Sequence, residues 1–240
     1  MPEKKNRQKD LFKKILLIVG ALVFVFATFI AAQFLVGIPL YWILGERTLE
    51  TPLWTTIYST LVYIVAAALI IFLPKIVSKN FKTNREELGL TSLPTFTDMG
   101  ISVLGIIATF IVAGVVVTIL SNFPWFDAEQ TQEIGYSTQI IGFDRVVAFL
   151  SLVVIAPIAE EIMFRGWLYG KLKKHISVPL AVFLVSALFG FIHGQLNVGV
   201  TVGIMSVIMC LERELTGTIY AGILTHMLKN GIAFYLLFIV

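Results

Sequence analysis

Long apolar runs alternate with short polar stretches along most of the chain. Each apolar run is of the length that a membrane-spanning helix needs, since about 20 residues at 1.5 Å rise cross a hydrocarbon core of about 30 Å. The pattern therefore predicts an all-α, polytopic transmembrane bundle of about seven or eight helices. The apolar runs cover residues 15–44, 53–73, 101–120, 140–172, 178–191, 198–211 and 216–240.

Two features of the pattern leave alternatives open. The last run is either one long span or two half-spans broken near Asn230 and Gly231. The first run is too long for the apolar region of a signal peptide, which favours a retained anchor, although Ala31-Ala32-Gln33 could also serve as a cleavage site.

Composition agrees with a membrane protein. The 240 residues are 58% hydrophobic and only 14% charged, and the mean hydropathy is +0.90. A soluble domain has about 45 to 50% apolar and about 25% charged residues. The single cysteine, Cys210, excludes an intrachain disulfide and a cysteine-based metal site. The net charge of +3 is too small to suggest nucleic-acid binding.

The charged residues predict an orientation. Basic residues concentrate in 1–14, in the 75–98 loop and in 171–174, whereas the 121–139 loop is acidic. If the N-terminus is cytoplasmic and the spans alternate, every basic stretch lies inside, as the positive-inside rule requires. We therefore predict a basic cytoplasmic N-terminus (1–14), then a single membrane-embedded domain (15–240). The short basic N-terminus and small size favour a bacterial cell membrane. The basic residues predicted to lie inside include Lys4, Lys5, Arg7, Lys75, Lys79, Lys82 and Arg85. The acidic residues predicted to lie outside include Asp127, Glu129 and Glu133.

The candidate chemistry lies in the fourth run. Glu160, Glu161 and Arg165 occur within six residues of an otherwise apolar stretch. An ionised side chain in the bilayer centre costs about 2.5 to 3.5 kcal/mol on insertion scales, so these groups need partners. Glu161 and Arg165 are spaced to form an ion pair on one helix face. Pro157 removes a backbone donor, and we expect a kink that frees a carbonyl.

Two later runs supply further polar groups. Phe189 and His193 are four residues apart, as are His226 and Asn230, so each pair would share a helix face. A carboxylate with an imidazole can deprotonate water, and an imidazole with a carboxamide can stabilise an oxyanion. Together they could hydrolyse an amide. A structural ion pair and hydrogen-bonding contacts between helices remain alternatives.

These residues resemble the motifs of the CPBP family of intramembrane proteases, which includes the type II CAAX prenyl proteases and the bacterial Abi proteins. Glu160, Glu161 and Arg165 match its Glu-Glu-x-x-x-Arg motif. Phe189 and His193 match Phe-x-x-x-His, and the third motif, His-x-x-x-Asn, occurs at residues 226–230. The resemblance covers about residues 140–235.

The resemblance implies a membrane endopeptidase whose site opens to the cytoplasmic side. By family analogy, Glu160 and His193 activate water, His226 and Asn230 form the oxyanion site, and the remaining motif residues support them. A divalent metal such as zinc stays open, with Glu160, His193 and His226 as its ligands if it is present, although the chain lacks the His-Glu-x-x-His zinc helix. The supporting residues are Glu161, Arg165 and Phe189.

The implied substrates are membrane-associated proteins or peptides, and in bacteria the role would be peptide maturation or bacteriocin immunity. A non-catalytic regulator that binds another membrane protein is the main alternative function. A proton-coupled transporter is a further alternative, although transporters usually show repeated halves and this sequence shows none.

Overall fold

The structure, a computed structural model, describes residues 2–77, 83–130 and 140–240, with side chains from residue 8 onward except those of 75 and 77. Part of the predicted charge pattern falls outside this description. The residues concerned are Lys79, Lys82 and Glu133, together with the side chains of Lys4, Lys5, Arg7 and Lys75.

The described residues are helical with short connections and contain no strand. Six helices are long and apolar enough to cross a membrane, namely α1, α3, α5, α6, α8 and α9, and α7 is a shorter apolar helix. The all-α, polytopic prediction is therefore confirmed. The helices are α1 (Pro2–Leu44), α2 (Glu46–Leu49), α3 (Pro52–Phe72), α4 (Pro74–Val77), α5 (Phe96–Leu120), α6 (Gly142–Leu172), α7 (Val178–Phe191), α8 (Leu196–Thr216) and α9 (Tyr220–Phe238).

Local sequence explains several helix ends. Prolines stand in the first turn of α3 and α7, where the missing N–H has no helical partner to lose. Thr95 and Asp98 form a capping box that starts α5. Gly217 ends α8 in the left-handed conformation, with φ of 73°. Helix α9 passes through Asn230 and Gly231 without a break, so the last apolar run is one span.

Helix α6 is continuous, but its winding changes along its length. It is α-helical at Gly142–Phe149 and Ala156–Glu161. Wider π turns occupy Leu150–Ile155 and Ile162–Tyr169. Pro157 follows the first π segment directly, and the two glutamates lie between the π segments. Such segments often occur at functional sites.

Helix α6 is the centre of the bundle, and α1, α3, α7, α8 and α9 all contact it. Its Trp167 and Leu168 are fully buried, and the Trp167 ring lies 5.0 Å from that of Phe24 in α1. Helix α5 packs against α8 and α9 and turns Leu104, Ile107 and Ile111 outward. A lipid environment makes such exposed apolar side chains favourable.

Polar contacts join several loops at one end of the bundle. Glu87, in the loop after α4, pairs with Lys171 and Lys174 at the end of α6. Lys173 pairs with Glu214 near the end of α8. These basic stretches therefore share one end, as the charge pattern predicts. Which end faces the cytoplasm stays a prediction from that pattern.

Candidate active site

A cavity of about 300 Å³ lies among α1, α3, α6 and the turn after α7. Glu160 and His193 line it, and Gln33 of α1 and Tyr63 of α3 add polar atoms to an otherwise apolar wall. The apolar lining comes from Val25, Phe26, Phe29, Ile30, Met163, Phe164, Leu188 and Ile192.

His226 of α9 lies between the two adjacent glutamates. Its Nε2 is 3.6 Å from Oε2 of Glu160, and its Nδ1 is 3.2 Å from Oε1 of Glu161. Because a carboxylate accepts hydrogen bonds, Nδ1 donates its proton to Glu161. That bond fixes the ring so that Nε2 faces Glu160. The i, i+1 glutamates thus have separate tasks, one beside the cavity and one orienting the imidazole.

Arg165 and Phe189 hold Glu161 in place. Arg165 Nη1 donates to Oε1 of Glu161 over 2.8 Å, and both side chains are fully buried. The guanidinium carbon of Arg165 lies 4.4 Å from the centre of the Phe189 ring, a cation–π contact that favours the buried charge. One oxygen of Glu161 therefore serves Arg165 and His226 together. The Glu161–Arg165 ion pair expected from their spacing is present.

His193 lies in the turn after α7, since that helix ends at Phe191. The prediction that Phe189 and His193 share a helix face is therefore wrong, because His193 lies beyond the helix end. The centroids of the two rings are nevertheless 5.0 Å apart. His193 Nδ1 is 2.7 Å from the Phe189 carbonyl oxygen, which can only accept. Nδ1 thus carries a proton, and in the neutral ring Nε2 is left as an acceptor.

Asn230 is one helical turn beyond His226 but does not line the Glu160 cavity. Its Nδ2 donates to the Leu152 carbonyl over 2.9 Å. In a π turn this carbonyl would pair with the N–H of residue 157, and Pro157 has none. The freed carbonyl expected from Pro157 is thus bound by Asn230. One amide hydrogen is engaged in this contact, and the second is left for other partners.

The linear pattern missed two participants. Tyr63 of α3 lies beside Glu160 in the cavity wall, but a tyrosine in an apolar run looks like ordinary packing. Glu212 looked like the polar end of a span, yet it is 3% exposed and accepts a hydrogen bond of 2.6 Å from Thr225. Neither has a spacing signal that would distinguish it.

A metal centre would need several side-chain donors that converge on one point. Among the residues that the structure describes, no three His, Cys, Asp or Glu side chains are arranged to hold a metal ion. His226 Nδ1 is directed at Glu161 and His193 Nδ1 at a backbone carbonyl. These two contacts leave the Nε2 atom of each ring free, so a bound metal stays a prediction from the sequence, and the reaction below uses the side chains alone.

Comparisons with known proteins point to the same part of the chain. Residues 142–232 match a family model described as type II CAAX prenyl endopeptidase Rce1-like. A protein of Bacillus subtilis (strain 168) named "Putative membrane peptidase YdiL" is 24% identical over 216 residues, which are 86% of this chain and 85% of that relative. No solved structure matches the chain. The matched range includes the candidate residues Glu160, Glu161, His193, His226 and Asn230.

Proposed function

We propose that this chain is an endopeptidase of the CPBP family, which cleaves membrane-associated proteins or peptides with a water activated by Glu160 and His193, and the family-model match over residues 142–232 supports this. The observation that carries the proposal is the shared cavity, in which a buried carboxylate and an imidazole acceptor face the same space. A substrate segment that reaches this space would meet both groups.

The reaction follows from the orientation of these groups. Glu160 takes a proton from water while His193 Nε2 accepts the other water hydrogen, and the water oxygen bonds to the peptide carbonyl carbon. His226 donates to the resulting oxyanion from Nε2 when both ring nitrogens carry protons. Asn230 binds the Leu152 carbonyl outside this cavity, so its proposed part as a second donor rests on the family resemblance alone. Glu160 then protonates the amine nitrogen as the C–N bond breaks, which leaves an amine and a carboxylic acid that ionises by losing its remaining proton.

The cavity wall indicates the substrate's character. Apart from Gln33, Tyr63 and the two catalytic groups, its lining is aliphatic or aromatic. An extended apolar peptide segment would bury its side chains there and present its backbone to Glu160. We therefore propose that the cleaved bond lies in or beside a membrane-inserted segment.

The test compares membranes from cells that produce the wild type or Glu160→Gln at equal levels. New protein termini are labelled and identified by mass spectrometry. We expect termini that the wild type generates and Glu160→Gln does not. Glu46→Gln is the matched control, because Glu46 is exposed in a short helix outside the site.

If both strains yield identical termini, and cells producing Glu160→Gln behave like cells producing the wild type and unlike cells that lack the protein, the endopeptidase proposal is wrong. The protein would then act as a regulator. Termini that disappear in Glu46→Gln as well would contradict the assigned role of Glu160.

A further inference from the structure

Tyr63 joins the amino-terminal helices to the glutamate of the active site. It lies in α3, well before the segment that matches the family model. Its side chain lines the same cavity as Glu160, close enough for the hydroxyl to interact with the Glu160 carboxylate. The ring also packs on Phe29 of α1, with centroids 5.7 Å apart. The Tyr63 ring thus packs against α1, while its hydroxyl lies on the side of the Glu160 carboxylate.

A carboxylate at this depth needs donors, because it has lost its water shell. His226 Nε2, at 3.6 Å from Oε2, lies beyond ordinary hydrogen-bond distance. The Tyr63 hydroxyl, in the same cavity wall, is the neighbouring donor, and a hydrogen bond to an ionised acceptor is among the stronger ones in proteins. It also restricts rotation of the carboxylate.

We propose that Tyr63 is a positioning residue that holds the Glu160 carboxylate in the orientation needed to deprotonate the water beside His193. This inference rests on the proposed endopeptidase function. It assigns a part of the active site to α3, and through Phe29 to α1. The amino-terminal third of the chain then contributes to the chemistry as well as anchoring the protein.

The proposal predicts a specific kinetic change. Tyr63→Phe keeps the ring and its contact with Phe29 but removes the hydroxyl. Substrate binding would change little, whereas the general base would lose its alignment. We expect kcat to fall by about ten- to hundredfold, the range for one hydrogen bond to a charged group, with KM within about twofold of the wild type.

Tyr58→Phe is the matched control. Tyr58 lies on the same helix, but its ring packs beside Gly37 of α1 and does not line the Glu160 cavity. Removal of the Tyr58 hydroxyl should leave kcat unchanged. Phe29→Leu is a second test that retains the hydroxyl. It loosens the phenol ring and should lower kcat by less than Tyr63→Phe.

All variants are assayed as full-length protein in the same lipid vesicles, alongside the wild type and Glu160→Gln. A selective fall in kcat for Tyr63→Phe supports the positioning role. Wild-type kcat in both Tyr63→Phe and Phe29→Leu, or a change confined to KM, would overturn it. Failure of the proposed function is separate, since the wild type would then be inactive or Glu160→Gln would be active.

Discussion

Gly105 provides the space for a buried carboxylate. A Cβ built on this glycine would lie 1.7 Å from Oε1 of Glu212 and 3.0 Å from Oγ1 of Thr225. Those two atoms form the 2.6 Å hydrogen bond that joins α8 to α9. The α8–α9 pairing near the site therefore depends on the absence of a side chain in α5.

We predict that Gly105→Ala destabilises the protein by about 1 to 3 kcal/mol, the usual cost of overpacking. The added methyl would displace Glu212 from Thr225, and both of these side chains are buried. Thermal unfolding in a fixed detergent or lipid measures the effect. Gly114→Ala is the control on the same helix, since a Cβ there meets nothing within 4 Å. Equal unfolding temperatures for the two variants would contradict the argument.

At the scale of the element, α6 depends on α9 for a backbone contact. Pro157 deprives the Leu152 carbonyl of its π-helical donor, and Asn230 supplies a replacement. The second and third motifs are similarly linked through the first, since Arg165 contacts Phe189 and Glu161 contacts His226. The three motifs are thus joined into one unit by a cation–π contact and a hydrogen bond.

The contact between Asn230 and α6 predicts a coupled pair of mutations. Asn230→Ala should cost about 1 to 3 kcal/mol, the penalty for an unsatisfied buried carbonyl. In a Pro157→Ala background residue 157 regains its N–H and can bond to Leu152, so the same change should cost less. Unfolding of the two single variants and the double variant gives the coupling. Strictly additive costs would show that Asn230 does not replace the missing donor.

The membrane-spanning helices could be predicted well from the sequence, because apolar runs of bilayer length require helices. It also singled out Glu160, His193 and His226 as candidates, since spacing of four residues and charge in an apolar run are visible in one dimension, and their role in catalysis stays a prediction. Tyr63 was missed because its importance comes from a neighbour almost a hundred residues away. The burial of Glu212 was not predicted, because a charged residue near a span end is usually solvated, whereas here Gly105 leaves room for it inside.

At the scale of the whole molecule, the loop before α5 ties one end of the bundle together. Glu87 accepts hydrogen bonds from Lys171 of α6, from Lys174 beyond it and from Thr83. Arg213 of α8 donates to the Glu87 backbone carbonyl. Partial burial raises the pKa of Glu87, but the lysines and Thr83 outweigh it and lower that pKa from 4.5 to about 2.

This lowered pKa predicts a pH dependence of stability. Ionised Glu87 stabilises the folded state at pH values above 4.5, and that contribution is lost as the pH falls towards about 2. The wild type should therefore be more stable than Glu87→Gln at neutral pH, and the difference should narrow with acid. Unfolding of both proteins between about pH 3 and about pH 7 tests this. A difference that stays constant throughout would contradict the role of Glu87.

The central claim is that Glu160 is the general base for peptide hydrolysis inside the bundle. The most direct measurement is kcat/KM of purified wild type and Glu160→Gln in lipid vesicles, on one peptide whose cleavage site is known, with a metal chelator present throughout. We predict cleavage by the wild type and a fall of about a thousandfold or more in Glu160→Gln, with unchanged thermal stability. Glu160→Gln that cleaves at the wild-type rate would contradict the account.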